Sequence, residues 1–270
     1  MHKDTILKFY AGGMEKDRLE QPDFLLEGLR TKQIISRYLT SRPLNILDIG
    51  GGTGVYSFWL KQLGHNVHLV DLSPEHIAWA SEYAHKHNVQ LDSCSVGDAT
   101  HLDLEKDQFD IVLLLGPLYH LTERQDRIKA LIEAKRVLKK GGVLLAAVIS
   151  RYASLFDGFR HDLIQDDEFE KLVIQDLKTG IHVNTTDNPQ YFTTASFHTP
   201  AEIKQEIADS GLDLVSLTAI ESVGWMIGDL EQKIGDQRYN DKVQRLIALI
   251  ESNEDLIALS PHIMAVTTKH

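Results

Sequence analysis

The sequence contains a single cysteine, Cys94, among its 270 residues. No internal disulfide can therefore form, and a metal site built from several thiolates is excluded. The chain has no apolar run of the roughly 18 residues that a membrane-spanning helix needs, and residues 1–5 lack the apolar core of a signal peptide. A net charge of −11 also means that the basic surplus typical of nucleic-acid-binding proteins is missing. These absences favour a cytoplasmic protein whose partners are neither membranes nor nucleic acids.

The composition is that of an ordinary globular protein, with 43% hydrophobic and 25% charged residues. A chain of this length can bury one sizeable core. It shows no internal repeat, no low-complexity segment and no linker between domains. The prediction is a single domain over residues 1–270.

The most informative stretch is a short apolar run that ends abruptly in glycines. Residues 44–49 are interrupted only by Asn45 and Asp48, which indicates a buried parallel strand. The glycines at 50, 51, 52 and 54 permit a tight turn with positive φ angles and a close approach of ligand to backbone. Helical spacing follows from Val55 onward. A strand, a glycine turn and a helix N-terminus together predict a binding loop for an anionic or polar ligand group.

The spacing of these glycines excludes two common nucleotide loops. The dinucleotide fingerprint requires a glycine where Val55 stands, and a phosphate loop requires a lysine after the glycines. What remains is an acidic residue within the strand, Asp48, followed by Gly-x-Gly-x-Gly. Asp71 ends the next apolar run about 20 positions after Gly50, where a carboxylate can accept both hydroxyls of a ribose. A nicotinamide-dependent dehydrogenase would use the same carboxylate. Asp71 therefore indicates a cofactor that contains a ribose without identifying which one.

Strands and helices alternate between residues 44 and 150, which predicts a parallel sheet with ligands at the carboxyl ends of its strands. Asp98 follows the third strand, where it is placed to accept a hydrogen bond from an adenine amine, with the amide of Ala99 available to a ring nitrogen. Two capping boxes are predicted, at Thr122 with Gln125 and at Thr199 with Glu202. Later strands are predicted at 212–220 and 262–268.

Taken together, these motifs resemble the class I S-adenosylmethionine-dependent methyltransferases, and most closely the small-molecule branch that includes ubiquinone and menaquinone biosynthesis enzymes. The resemblance covers residues 45–150 in order, and it rests on the following segments: 47–54 (Leu-Asp-Ile-Gly-Gly-Gly-Thr-Gly), 70–73 (Val-Asp-Leu-Ser), 97–99 (Gly-Asp-Ala), 109–110 (Phe-Asp), 116–121 (Gly-Pro-Leu-Tyr-His-Leu) and 136–142 (Arg-Val-Leu-Lys-Lys-Gly-Gly).

The resemblance implies an α/β fold with a Rossmann-like seven-stranded, mostly parallel sheet, its last strand antiparallel, helices on both faces and an inserted lid. In that scheme residues 1–43 form an N-terminal helical cap, 44–150 the cofactor-binding core, 151–198 the lid, and 199–270 the C-terminal strands and helices. The implied cofactor is S-adenosylmethionine. The cofactor-binding residues expected from the motifs are Asp48, Gly50, Gly52, Gly54, Asp71 (ribose), Leu72 (against adenine), Asp98, Ala99 and Leu115 (carbonyl to the methionine amino group). Independently of the motifs, Tyr10 and Arg18 in the segment before the first helix are expected to fold over a bound ligand.

The implied reaction transfers a methyl group to a small organic acceptor. A base for the acceptor's proton is predicted at His120, with Tyr119 beside it. Acceptor contacts are predicted at Tyr152, His198 and Glu221, with Trp225 as an aromatic wall, and no metal is expected.

Some acceptor classes are disfavoured by the sequence. Gly-Pro-Leu-Tyr stands at 116–119 in place of the Asp/Asn-Pro-Pro-Tyr signature of methyltransferases acting on the amino groups of adenine or glutamine, and one cysteine is too few for arsenite methylation. The identity of the acceptor and the oligomeric state stay open. A nicotinamide-dependent oxidoreductase is disfavoured by Val55 and Asp98. A protein that binds the adenosyl cofactor without transferring its methyl group is not excluded.

Overall fold

The computed structural model describes residues 18–186 and 188–270, so Tyr10 lies outside the described residues. Within these ranges, nine strands form one sheet. The strands are β1 (Asn45–Ile49), β2 (Asn66–Asp71), β3 (Ser93–Val96), β4 (Phe109–Leu114), β5 (Leu138–Ser150), β6 (Ile181–His182), β7 (Ala195–His198), β8 (Asp213–Ala219) and β9 (His262–Thr268).

Ten α-helices accompany the sheet in the described part of the chain. They are α1 (Leu25–Ser36), α2 (Val55–Gln62), α3 (Pro74–His87), α4 (Pro117–His120), α5 (Arg124–Val137), α6 (Ala153–Arg160), α7 (Asp167–Thr179), α8 (Pro200–Asp209), α9 (Leu230–Gly235) and α10 (Gln237–Ile250). None of these helices is long and apolar enough to cross a membrane.

The order of the strands confirms the predicted Rossmann-like sheet. Strands β3, β2, β1, β4 and β5 lie side by side and parallel, β9 runs antiparallel to β5, and β8 completes that side of the sheet beside β9. These are the seven expected strands, with the last one in the sequence antiparallel.

The strand count exceeds seven because β6 and β7 form a short additional hairpin on the carboxyl end of β5. The pairing between β4 and β5 ends at Ala146, whereas β5 continues to Ser150. The last residues of β5 therefore have an open edge on that side. Strand β7 occupies it in parallel, with Ile149 opposite Phe197 and Ser150 opposite His198.

The hydrophobic core lies on both faces of the sheet. Neighbouring residues of β1 point to opposite faces, as the period of two requires. Leu47 packs in the cluster that contains Leu131 of α5, and Ile46 packs with Ile35 of α1 on the other face. The carboxyl ends of the parallel strands stay uncovered by these layers, which leaves them available for a site.

One predicted capping box is confirmed and the other is wrong. Thr199 accepts a hydrogen bond from the Glu202 amide, and the Glu202 side chain accepts one from the Thr199 amide. Helix α5 instead begins at Arg124, without a side-chain cap. The reason is a tertiary contact, because the buried Arg127 guanidinium donates to the carbonyl of Thr122 and thereby holds this residue outside the helix.

Candidate functional site

A cleft opens at the carboxyl edge of the parallel strands. Its walls come from the glycine loop after β1, from the ends of β2, β4 and β5, from α1 and α4, and from the start of β9. The lining residues that bear on the chemistry of the cleft are Arg18, Glu27, Asp48, Gly50, Gly52, Asp71, Leu72, Asp98, Ala99, Leu115, Tyr119, His120 and His262.

The glycine loop presents bare backbone to this cleft. Gly50 and Gly52 have φ angles of +68° and +59°, in the left-handed region that favours glycine. A Cβ atom on Gly50 would lie 2.4 Å from Cγ of Pro117, and one on Gly51 would lie 2.4 Å from Oδ2 of Asp48. Larger residues would therefore collide with the walls of the cleft. Gly54 has a φ of +86° and precedes α2, but it lies outside the lining and faces Phe58.

Asp48 is buried at the bottom of the cleft. Its Oδ2 accepts a hydrogen bond of 2.7 Å from the Ser57 hydroxyl, whereas its Oδ1 has no hydrogen-bond partner among the described residues. Burial raises the pKa of the Asp48 carboxyl to about 7, an effect that the Ser57 hydrogen bond opposes and the nearby charge of Asp71 reinforces. A cationic or donating ligand group would relieve this uncompensated burial.

Asp71 joins the end of β2 to the glycine loop. Its Oδ2 accepts a hydrogen bond of 2.8 Å from the Gly52 amide, and its Oδ1 accepts one of 2.8 Å from the Ser73 amide. Nδ1 of His76 lies 3.0 Å from the same Oδ1. These contacts fix the carboxylate at the cleft wall, and each carboxylate oxygen has more than one acceptor direction.

Asp98 is held in a turn after β3, where its Oδ1 accepts hydrogen bonds from the amide and the hydroxyl of Thr100, at 2.9 and 2.8 Å. Ala99, Leu72 and Leu115 line the cleft with it. Arg18 lines the cleft as well, and its guanidinium donates two hydrogen bonds to Glu27, at 2.7 and 2.9 Å. Apart from Gly54 and Tyr10, the structure brings the predicted cofactor residues to one cleft.

Both predicted catalytic residues line this cleft. The rings of Tyr119 and His120 meet edge to face, with their centroids 4.6 Å apart. The His120 ring is also 6.1 Å from that of Phe192, which follows the extra hairpin's turn. The structure therefore places this pair at the cleft without assigning a role to either residue.

None of the four predicted acceptor residues lines the cleft. His198 is buried against Glu206, at 3.2 Å, and Glu206 is paired with Arg127. The Trp225 ring stacks on Phe156 with centroids 4.7 Å apart. The Tyr152 ring is 6.5 Å from that of Phe156, so both aromatic residues pack beside α6.

Glu221 also lies outside the cleft lining, but it is hydrogen-bonded to His262, which lines the cleft. His262 donates from its Nδ1 to Oε1 of Glu221 at 2.6 Å. Glu27, Glu221 and His262 have ligand atoms that all lie within 4.8 Å of one another. Their donor types are those of a metal site, although Arg18 already pairs with Glu27 and His262 with Glu221.

Sequence reasoning missed Glu27 and His262. Burial raises the pKa of Glu27, but the positive charges of Arg18 and His262 outweigh it and hold the pKa below its usual range. For His262, burial lowers the pKa, but the carboxylates of Glu221 and Glu27 outweigh it and raise the pKa to about 9. No local signal marks these residues, because they come from opposite ends of the chain and meet only in the fold.

Comparisons with known proteins agree with the motifs. Residues 47–146 match the family model of a methyltransferase domain. The chain is 32% identical to the chloroplastic 2-methyl-6-phytyl-1,4-hydroquinone methyltransferase 2 of Oryza sativa subsp. japonica, over 53% of this chain and 40% of that relative. It is 26% identical to a ubiquinone biosynthesis O-methyltransferase of Coxiella burnetii, over 74% of this chain and 76% of that one.

A solved structure of a SAM-dependent methyltransferase from Methanosarcina mazei has the same fold, with a TM-score of 0.59 at 19% identity, over 87% of this chain and 96% of that one. The chain spans two fifths or less of the length of several curated relatives that it matches. The predicted family and fold are confirmed, and neither the oxidoreductase nor the non-catalytic alternative is favoured.

Proposed function

Because residues 47–146 form a class I S-adenosylmethionine-dependent methyltransferase domain, we propose that this chain transfers a methyl group from S-adenosylmethionine to a small organic acceptor. The bound cofactor supplies an electrophilic methyl group on a sulfonium, so the protein contributes binding, orientation and electrostatics.

The observation that carries the proposal is the pairing of the glycine cradle with two buried carboxylates. Oδ1 of Asp48 lacks a partner among the described residues, and the ammonium group of a methionine moiety would supply one. Asp71 binds the ribose hydroxyls, Asp98 and the amide of Ala99 bind the adenine edge, and Leu115 offers its carbonyl to the ammonium group. Arg18, which pairs with Glu27 and lines the cleft, contributes positive charge for the cofactor's carboxylate.

The proposal treats residues 1–270 as one unit in which 151–198 form a lid. In support, the hairpin of β6 and β7 extends β5 beyond the sheet, and Phe192 brings this segment to within 6.1 Å of His120, centroid to centroid. His120 and Tyr119 face the acceptor in this arrangement.

The acceptor is proposed to be a small molecule that carries a hydroxyl or an activated carbon. Two of the relatives support it, since their names refer to the methylation of a hydroquinone and to O-methylation in ubiquinone biosynthesis. Screening phenols, hydroquinones and amines with radiolabelled cofactor would identify the class.

Calorimetric titration of the purified protein with S-adenosylmethionine, S-adenosylhomocysteine and NAD(H) tests the proposal. We expect the first two to bind and NAD(H) not to bind. Asp71→Ala should weaken both affinities roughly 10- to 100-fold, because a hydrogen-bonding charge is lost. Asp103→Ala, at an exposed carboxylate outside the cleft lining, is the control. Binding of NAD(H) alone, or an unchanged affinity in Asp71→Ala, would contradict the assignment.

A further inference from the structure

His262 is a cleft residue whose imidazole is hydrogen-bonded to a buried carboxylate. It opens β9 and lies opposite Ile149, near the carboxyl end of β5. His262 lines the same cleft as the glycine loop, whereas Glu221, to which it is hydrogen-bonded, does not. His262 is therefore part of the cleft wall, and its Nδ1 is held by Glu221.

The orientation of this ring is fixed from behind. Nδ1 donates to Oε1 of Glu221 at 2.6 Å, and Oε2 of Glu221 accepts from the Ser260 hydroxyl at 2.9 Å and from the His262 amide at 3.1 Å. Because a carboxylate only accepts hydrogen bonds, the proton of a neutral His262 must reside on Nδ1. Nε2 makes no hydrogen bond within residues 18–186 and 188–270. It is the ring atom left for a ligand.

The charges around the ring favour the protonated imidazole. Glu221 and Glu27 raise the His262 pKa, Arg18 and burial lower it, and Asp157 on α6 also interacts with it. The result is a pKa of about 9, which makes Nε2 a stronger proton acceptor than an ordinary histidine. An acceptor hydroxyl of comparable acidity can transfer its proton to such a group, and a phenol, with a pKa of about 10, meets that condition.

We propose that His262, oriented by Glu221, is the catalytic base of this enzyme, and that the acceptor is a phenolic hydroxyl compound. This inference rests on the proposed methyltransferase function. The hydroxyl proton passes to Nε2, and the oxygen's electron pair forms a bond to the methyl carbon. The bond between that carbon and sulfur breaks, its electron pair stays on sulfur, and the sulfonium becomes a neutral thioether. The proton on Nε2 then leaves to solvent. Glu221 is a positioning residue, because it acts through His262.

The test uses the 270-residue chain with 4-methylphenol, catechol and 1,4-hydroquinone as acceptors, and 4-nitrophenol, assayed at a pH above its own pKa, as an acceptor that is already ionised. We expect wild-type protein to methylate the first three compounds on oxygen. Their kcat/KM should rise with pH, and the midpoint of that rise should lie at about pH 9. His262→Gln should lose roughly 100-fold or more in kcat for those phenols, as expected for a missing base. Its rate with 4-nitrophenol should be nearly unchanged, because that oxygen needs no base.

Glu221→Gln distinguishes positioning from a structural role. Removing the carboxylate lowers the His262 pKa, so the low-pH limb of the profile should move to lower pH by about 1 to 3 units. A variant that is merely less well folded would lose rate without moving this limb. His85→Gln, at an exposed histidine of α3, is the matched control and should leave the profile unchanged.

The outcomes separate this inference from the function on which it rests. If His262→Gln keeps the wild-type profile, or if only His120→Gln loses activity with 4-methylphenol, His262 is not the base even though methyl transfer stands. Methylation of amines alone, or of none of the phenols, overturns the acceptor class. Activity that EDTA abolishes and Mg²⁺ restores would assign Glu27, Glu221 and His262 to a metal instead. Failure to bind S-adenosylhomocysteine would contradict the methyltransferase function itself.

Discussion

At the level of single residues, Asp48 and Asp71 show how two adjacent parallel strands, β1 and β2, hold two carboxylates beside a cleft. Asp71 accepts hydrogen bonds from the backbone amides of Gly52 and Ser73, and its oxygens keep further acceptor directions for a ligand. Asp48 has one oxygen bonded to Ser57 and one without a partner among the described residues. Buried, half-satisfied charges cost stability, and they persist where a ligand completes them.

Asp48→Asn tests this cost directly. In the folded protein the Asp48 pKa is raised from 3.8 to about 7, so its ionisation penalises folding progressively as pH rises through that interval, with the full penalty above pH 7. Asparagine can still accept the Ser57 hydrogen bond but carries no charge. We expect Asp48→Asn to increase the free energy of unfolding of the cofactor-free protein at pH 8 by up to about 4 kcal/mol.

Urea denaturation at pH 5 and pH 8 measures the effect, with Asp103→Asn as the control at an exposed site. The stabilisation should be smaller at pH 5, where the wild-type carboxyl is largely protonated in the folded state. A variant that is equally stable or less stable than wild type at pH 8 would show that the ionised Asp48 carboxylate does not destabilise the folded protein.

At the level of elements, α6, α7, β6 and the turn before β7 share a polar centre. The Asp176 carboxylate on α7 is fully buried, and its Oδ2 accepts hydrogen bonds from the Ser154 hydroxyl at 2.6 Å and from Nδ1 of His182 at 2.8 Å. Nε2 of His182 donates to the carbonyl of Tyr191 at 2.7 Å. One carboxylate and one imidazole thus connect α6, α7, β6 and the turn before β7.

His182→Ala should loosen this unit. It removes one partner of a buried carboxylate and leaves the Tyr191 carbonyl unpaired, which costs about 3 to 5 kcal/mol in comparable buried pairs. Hydrogen exchange followed by mass spectrometry should show faster exchange in residues 153–198 and little change in β1, β4 and β5. His161→Ala, at an exposed histidine of the same segment, should not alter exchange. Uniform acceleration across the sheet would mean that the segment does not unfold separately.

At the level of the whole molecule, the two ends of the described chain are joined by a buried arginine. Arg30 of α1 is fully buried, donates to the Ile220 carbonyl at 3.0 Å and pairs with Glu251, which follows α10. Arg37 pairs with the same carboxylate, at 3.0 Å. The glutamate is thus shared by two guanidinium groups, and α1, which contributes Glu27 to the cleft, is fastened to the C-terminal part of the chain.

Arg30→Ala is expected to lower the free energy of unfolding by about 3 to 5 kcal/mol, because it leaves a buried carbonyl unpaired and weakens the pairing of Glu251. Since α1 also carries Glu27, cofactor or acceptor binding should weaken in parallel. Thermal unfolding and the calorimetric titration measure the two effects. Arg42→Ala, in an exposed turn, is the control. A loss of stability below about 1 kcal/mol would contradict the conclusion that Arg30 fastens α1 to the C-terminal part of the chain.

The local parts of the site could be predicted from the sequence because adjacent residues build them. Gly50, Gly52 and Asp48 belong to one continuous strand and turn, and Asp71 and Asp98 follow predicted parallel strands whose carboxyl ends meet at one edge. The predicted acceptor residues do not line the cleft. Trp225 stacks on Phe156 and His198 pairs with Glu206, since side chains after residue 150 are oriented by packing that no periodicity reveals.

The sequence by itself determined the alternating strands and helices of the sheet and one half of the cleft, the glycine loop with its neighbouring carboxylates, because hydrophobic runs and glycine spacing are local properties of the chain. Only the tertiary structure decided the other half. Glu27 and His262 are separated by most of the chain and meet when α1 and β9 pack on the same edge of the sheet. Burial opposes both of their pKa shifts, and the charges of Arg18 and His262 on Glu27, and of Glu221 and Glu27 on His262, outweigh it. These charges come together only once the chain has folded.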